Sequence, residues 1–202
     1  MRLIDAEQRI LALQLPVIQT RDVSACLKIS IAHASNLLNR LVKAGRFVRL
    51  MRGKWATSKQ IDPLILPEHL TAPFPSYISL QTALFYHGLI SQIPQTIYAV
   101  SLARTHQYIT NFGTISIHHL QADFFFGFER IGQVQMATPE KALIDVLYLT
   151  PAKSQLFKTL PEIDFPKTFN FKKANAIINK IPSTRIKTLV RTRLNDLLTT
   201  YQ

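Results

Sequence analysis

Between Ser30 and Gly45 the chain reads SIAHASNLLNRLVKA, with Ala34, Leu37, Leu38 and Leu41 recurring at three- and four-residue spacing. That period puts the four on one side of an α-helix and commits that side to a core. Ser30 is a good N-cap, because its hydroxyl can accept a backbone N–H that a helix start leaves without a partner. Gly45 supplies the left-handed residue that ends a helix. The other side of the run carries Ala32, His33, Ser35, Asn36, Asn39, Arg40 and Lys43. The flanking residues must complete the core. Residues 5–14 read as a first helix, with Ile10, Leu11 and Leu13 as candidate core residues, Asp5 and Glu7 near its positive N-terminus, and Pro16 stopping it. Thr20 reads as the N-cap of a short second helix, TRDVSACLKI, with Val23, Cys26 and Leu27 inward and a turn at Lys28-Ile29. After Gly45, two β-prone runs, Phe47–Met51 and Lys54–Thr57, flank Arg52-Gly53 and read as a hairpin with a basic tip.

Helix, short helix, turn, helix and basic hairpin, in that order, resemble the winged helix-turn-helix regulators. The resemblance implies a third helix lying in a DNA major groove. Ala32 and Ser35 are small enough to let it approach, and His33, Asn36 and Arg40 reach bases and phosphates. Asparagine suits bidentate contact with adenine, and arginine suits guanine or phosphate. Arg52 and Lys54 would touch backbone or minor groove. The candidate DNA-binding set is Thr20, Arg21, Ser30, His33, Ser35, Asn36, Asn39, Arg40, Lys43, Arg52 and Lys54. A winged helix can also serve as a protein–protein module with a merely solvated polar face. His33 has no second metal ligand at i+4, where Leu37 stands.

Charge weighs toward DNA. The 24 Lys+Arg against 12 Asp+Glu leave a net +12, which favours a polyanionic partner. Residues 1–66 hold 11 Lys/Arg and 4 Asp/Glu, residues 67–150 hold 3 and 5, and residues 151–202 hold 10 and 3. Both ends are basic and the middle is nearly neutral. The single cysteine, Cys26, excludes an internal disulfide and a Cys-rich zinc site. Asp5 and Glu7 interrupt what a signal peptide would need as an apolar core, and no stretch reaches the roughly 18 apolar residues of a membrane span. The expected setting is cytoplasmic, without a membrane partner.

Prolines 63, 67, 73 and 75 mark a connector, residues 63–76, between a DNA-binding domain over residues 1–62 and a second domain over 77–202. In the second, PSYISLQTALFYHGL reads as a helix from Ser79 ended by Gly88, and QTIYAVSLA as a strand buried on both sides. YITNFGTISIHHL reads as a hairpin turning at Asn111-Phe112-Gly113, and ADFFFGFERIGQVQMA as two more strands. Thr138-Pro139-Glu140 opens the helix PEKALIDVLYL, with Thr138 as N-cap and Pro139 at its first position. Ala142, Leu143, Val146 and Leu147 face inward there, while Lys141 and Asp145 read as an i,i+4 surface pair. Phe124, Phe125, Phe126 and Phe128 read as core, against the sharper option of a base-stacking patch. Asp123, Glu129, Glu140, Lys141 and Asp145 match no metal-fixing spacing, His118 and His119 point to opposite faces of a strand, and no phosphate loop, GxSxG or GxGxxG is present. Neither an enzyme nor a bound cofactor is expected.

The ordered elements YISLQTALFYHGL, QTIYAV, FFFGF and ATPEKALIDVLYL, behind such an N-terminal half, resemble the AbiEi-type antitoxins of abortive-infection (type IV) toxin–antitoxin systems. The resemblance covers roughly residues 1–150. It implies an autorepressor that binds an inverted-repeat operator at its own promoter and counteracts a nucleotidyltransferase-type toxin through its C-terminal part. Family members also occur without a neighbouring toxin, so a stand-alone regulator with a sensory or dimerising C-terminal domain stays open.

Pro151, Pro161 and Pro166 then break the chain before two helices, NFKKANAIINKI and STRIKTLVRTRLNDLL, the second capped by Ser183. Their basic outer residues (Lys172, Lys173, Lys180, Arg185, Lys187, Arg191 and Arg193) fit a second DNA contact, an acidic toxin, the toxin's nucleic-acid substrate, or plain solvation. The expected fold class is α+β: an N-terminal winged helix-turn-helix followed by a mixed α/β domain with a helical tail.

Overall fold

The structure, a computed structural model, describes residues 2–150 and 162–200. The breaks expected at Pro151 and Pro161 lie outside the described residues. Among the described residues are eight α-helices and two β-sheets, a mixed α+β arrangement. The chain divides into two units, Met1–Leu70 with Ile109–Gly113, and Thr71–Tyr108 with Thr114–Gln202.

The first unit is built on the apolar stripe of α3 (Ile31–Lys43), whose Ala34, Leu37, Leu38 and Leu41 are buried. They join a core with Ala6 and Ile10 of α1 (Leu3–Leu11), Ile18 of β1 (Val17–Gln19) and Val23 of α2 (Thr20–Leu27). Phe47 and Trp55 close it, the latter from β3 (Lys54–Ala56), which pairs antiparallel with both β1 and β2 (Val48–Met51). The expected inward positions Leu11 and Leu13 are instead exposed, because α1 ends at Leu11 and presents Ala6 and Ile10 to the core. The N-cap of α2 is Gln19, one residue before the expected Thr20; the Asp22 carboxylate accepts the Gln19 N–H at 2.7 Å.

The first part of the proline-rich stretch is helical. Asp62 Oδ1 accepts the Leu64 N–H at 2.9 Å and Pro63 opens a 3-10 turn, Pro63–Ile65, that runs into α4 (Leu66–Thr71). A proline at the first helical position removes only an N–H that has no intrahelical partner, and Ile65, Leu66 and Leu70 are buried. The boundary between units falls after Leu70, and β4 (Ser76–Ile78) starts where the connector was expected to end.

Apart from Ile109–Gly113, a six-stranded mixed sheet belongs to the second unit. It contains β4, β5 (Thr96–Ser101), β6 (His106–Thr110), β7 (Gly113–His119), β8 (Phe128–Ile131) and β9 (Val134–Ala137), in the order β6-β7-β5-β4-β9-β8. β4 lies antiparallel to β5 and parallel to β9, and β5 is parallel to β7. Four helices complete it: α5 (Leu80–Tyr86), α6 (Pro139–Leu149), α7 (Phe171–Asn179) and α8 (Thr184–Thr200). Thr138 caps α6 as expected, accepting the Lys141 N–H at 3.4 Å. α6 packs against α5, α7 and α8, so Glu140 through Leu147 are all buried. No helix among the described residues is long and apolar enough to cross a membrane.

Lys141 and Asp145, expected on the surface, are both 0% exposed and form an ion pair. Burial pushes the Asp145 carboxyl up and the Lys141 ammonium down, each opposed by its partner's charge. The Tyr77 and Ser79 hydroxyls donate to Asp145 Oδ2 at 3.0 and 2.8 Å. The Lys141 ammonium sits 3.8 Å from the Phe124 ring centroid and 5.1 Å from that of Phe126, so π-faces supply part of its solvation. Phe124 belongs to a 3-10 turn, Ala122–Phe124, rather than to the expected strand. Gly127 has φ +78°, and a Cβ there would lie 3.0 Å from the Lys141 side chain, so the glycine of FFFGF makes room for the lysine stem. Removing one partner would leave a buried charge uncompensated, at about 3–5 kcal/mol. Asp145→Ala is expected to lower the unfolding free energy by that amount in denaturant titration. Lys141→Met with Asp145→Leu should recover most of the loss.

Candidate nucleic-acid interface

The outward side of α3 follows from its buried side. Ala32, His33, Asn36, Arg40 and Lys43 are exposed and Asn39 half-buried, and at 100° per residue all six fall within about a third of a turn. Ser35 lies half-buried on the flank. α2 and α3 are joined by a short, fixed turn. Lys28 takes φ +54°, Ile29 N–H donates to the Ser24 carbonyl at 3.1 Å, and Ser24 Oγ donates to the Ile29 carbonyl at 2.6 Å. Ser30 Oγ then accepts the His33 N–H at 3.2 Å, the expected cap. At the far end, Gly45 at φ +70° donates to the Val42 carbonyl and Arg46 N–H to the Leu41 carbonyl, at 2.9 and 3.0 Å. This glycine-centred stop satisfies the last carbonyls and turns the chain into β2.

The hairpin is short and tied down. Gly53 turns at φ +80° and its carbonyl accepts the Thr20 N–H at 3.0 Å. Arg52 stands exposed at the tip. Arg21, exposed at the start of α2, has its Nε 3.9 Å from Asp22 Oδ1, a loose surface pair of little energetic weight.

Two residues of the expected set are occupied elsewhere. Thr20 is 9% exposed and its Oγ1 accepts the Trp55 indole N–H at 3.0 Å. Lys54 Nζ donates to the carbonyls of His69 and Leu70 at 2.6 and 2.8 Å, near the C-terminal end of α4, where the helix dipole favours a cation. Burial, and secondarily the Arg21 charge, lowers the Lys54 ammonium below its ordinary range. Both side chains therefore serve the first unit's own structure. Two further side chains, one on α3 and one on β2, are exposed. Ile31 is 62% exposed at the first turn of α3. Arg49 is exposed on the same face as its register partner Trp55, with its guanidinium carbon 5.5 Å from the Trp55 ring centroid; its place between Val48 and Leu50, both buried, is an alternation that marks it in the sequence.

The electrostatics of this side are one-signed. The four acids of residues 1–66 lie outside α3 and the hairpin, and each has a partner of its own. Asp5 accepts the Arg2 N–H at 3.3 Å, Glu7 lies 3.8 Å from Arg46, and Asp22 and Asp62 cap helix starts. Neither α3 nor the hairpin contains an acid.

In the second unit the carboxylates weighed above do not converge. Lys141 and Asp145 are sealed in the core, Asp123 and Glu129 are exposed, and Glu140 accepts the Asn170 N–H at 3.0 Å and pairs with Lys173 at 3.3 Å. Among the described residues no group of three or more His, Cys, Asp or Glu could hold a metal ion. His87 Nε2 lies 2.7 Å from the Ala137 carbonyl oxygen. A pocket of about 230 Å³ beside the start of α6 is rimmed by His87, Glu129, Glu140 and Lys173, below the roughly 300–1,000 Å³ of ordinary ligand clefts.

No family model matches the chain, and no curated protein matches it.

Because Thr20 supplies the acceptor for a buried indole N–H, Thr20→Val should cost about 1–3 kcal/mol of stability by leaving that donor unsatisfied. Urea unfolding followed by Trp55 fluorescence measures it; a loss below a few tenths of a kcal/mol would contradict the role.

Proposed function

We propose that the first unit is a winged helix-turn-helix that binds double-stranded DNA, with α3 in the major groove and the β2–β3 hairpin against neighbouring backbone. The observation that carries this reading is the acid-free outward side of α3, beside a hairpin whose tip is Arg52. Element order and the β1-β3-β2 sheet also fit it. In this reading Ala32 allows close approach, Asn36 reads adenine, Arg40 reads guanine or grips phosphate, and His33 and Asn39 reach neighbouring edges. Lys43, Arg21, Arg49 and Arg52 neutralise phosphates, and Ser30 places the α3 N-terminus for one more.

The wider role we propose is that of an AbiEi-type antitoxin: an autorepressor at an inverted-repeat operator that counteracts a nucleotidyltransferase-type toxin. Its support is the resemblance of ATPEKALIDVLYL and the elements before it. That motif forms the buried helix α6, so the resemblance speaks for shared architecture, and any toxin-directed surface lies outside the motif. Coexpression with a nucleotidyltransferase from an adjacent gene tests the role. Rescue of growth supports it, whereas specific operator binding without rescue assigns the chain to the stand-alone regulators.

DNA binding has a finer test. Arg40→Ala should weaken binding to DNA from upstream of the chain's own gene by about 1–3 kcal/mol and relax sequence preference. Arg52→Ala should lower the slope of log affinity against log salt by about 0.9 and leave preference intact. Lys54→Met should leave that slope unchanged. Undiminished binding by the Arg40 variant would remove it from the interface.

A further inference from the structure

Four large apolar side chains at the edge of the first unit have no place in its core. On α1, Ile4 is 54% and Leu11 44% exposed; just after it, Leu13 is 36% and Leu15 44% exposed. The backbone that carries them is fixed. The Leu13 and Gln14 N–H groups donate to the Ile10 and Leu11 carbonyls at 3.1 and 2.9 Å, and Thr57 Oγ1 donates to the Leu15 carbonyl at 2.9 Å. Ile4 and Leu11, on one side of α1 by their spacing, are large apolar side chains costly to leave in water, and such exposure marks an interaction face.

We propose that this face binds a second copy of the chain, α1 packing antiparallel on α1 across a two-fold axis between Glu7 and Gln8. Ile4, Gln8 and Leu11 share one side of α1 by their spacing, away from the buried Ala6 and Ile10. In the antiparallel register Ile4 of each copy meets Leu11 of the other, and Gln8 lies near the axis. Asp5 and Arg9 flank that side together and are exposed. The same register sets Asp5 of each copy beside Arg9 of the other, twice per dimer. A parallel pairing would place the Asp5 and Arg9 flank of each copy against the Ile4 and Leu11 flank of the other, so only the antiparallel one pairs the charges with each other. Glu7, the remaining charge on the helix, lies 3.8 Å from Arg46 of its own chain, and Asp5 Oδ2 also accepts its own chain's Arg2 N–H, leaving Oδ1 for the partner. A two-fold interface of this kind is closed and self-complementary. Its small size implies weak association, strengthened whenever both copies sit on one DNA. The inference does not depend on the DNA reading, and its test contains no DNA.

Sedimentation velocity of the full chain, taken to about 200 µM, where a small interface still shows itself, is the experiment. The wild type should shift from monomer to dimer as concentration rises. Ile4→Glu with Leu11→Glu should stay monomeric throughout, with an unchanged circular dichroism spectrum and melting temperature. Arg9→Asp alone should weaken association, and Asp5→Arg with Arg9→Asp should restore it. A Gln8→Cys variant in a Cys26→Ser background should be captured as a dimer by a short bis-maleimide, whereas Ala25→Cys in that background should not. A wild type that stays monomeric, a dimer that survives the Ile4/Leu11 substitutions, or a charge swap that fails to restore association would overturn the proposal.

Discussion

Trp55 is the fixed point of the first unit. Its ring is buried in the core and its indole N–H is bonded to Thr20 Oγ1, while the backbone N–H of Thr20 is held by Gly53. One residue at the start of α2 is thus gripped by β3 through its side chain and by the hairpin turn through its backbone. With α2 placed, the short Lys28–Ser30 turn leaves α3 little freedom. Its four apolar residues must enter the core, and the amides and cations must face outward. The proposed reading surface is therefore a by-product of core formation, which is why it sits on rigid structure.

The second unit solves a different problem. α6 is covered by three other helices, so even its charged positions fall inside. Burying Lys141 and Asp145 is tolerable because each meets the other, and because two hydroxyls and two phenylalanine rings complete their surroundings. Gly127 is required there for the space its missing side chain leaves. The residues that most strongly mark the family resemblance are thus largely those that let a charged helix be buried. They carry information about architecture, and the proposed DNA chemistry lies in the other unit.

What was legible in the sequence was local. α3, with its Ser30 cap and Gly45 stop, α6, with Thr138 and Pro139, and the turn at Gly53 all lie where nearest-neighbour rules put them. What was not legible depended on residues distant in the chain. Lys54 looks like a basic hairpin residue until carbonyls from α4 come to meet it, and Thr20 looks like a cap until Trp55 arrives. Lys141 and Asp145 have the spacing of a surface pair, and only the packing of α5, α7 and α8 around α6 buries them. The prolines after Asp62 were read as breakers, although at the first turn of a helix proline is a starter. Leu11 and Leu13 look inward in the sequence as part of the apolar run of the first helix, but Ala6 and Ile10 fill the core from α1.

The proposed DNA-binding surface is the outward side of α3 with the β2–β3 hairpin. Amide NMR spectra of the labelled chain, recorded while duplex DNA from upstream of its own gene is added, test it directly. The account predicts shifts concentrated at residues 31–43 and at Arg49, Arg52 and Gly53, with α6 unmoved. Shifts confined to the basic helices α7 and α8, or no shifts at a DNA concentration that saturates binding, would contradict it.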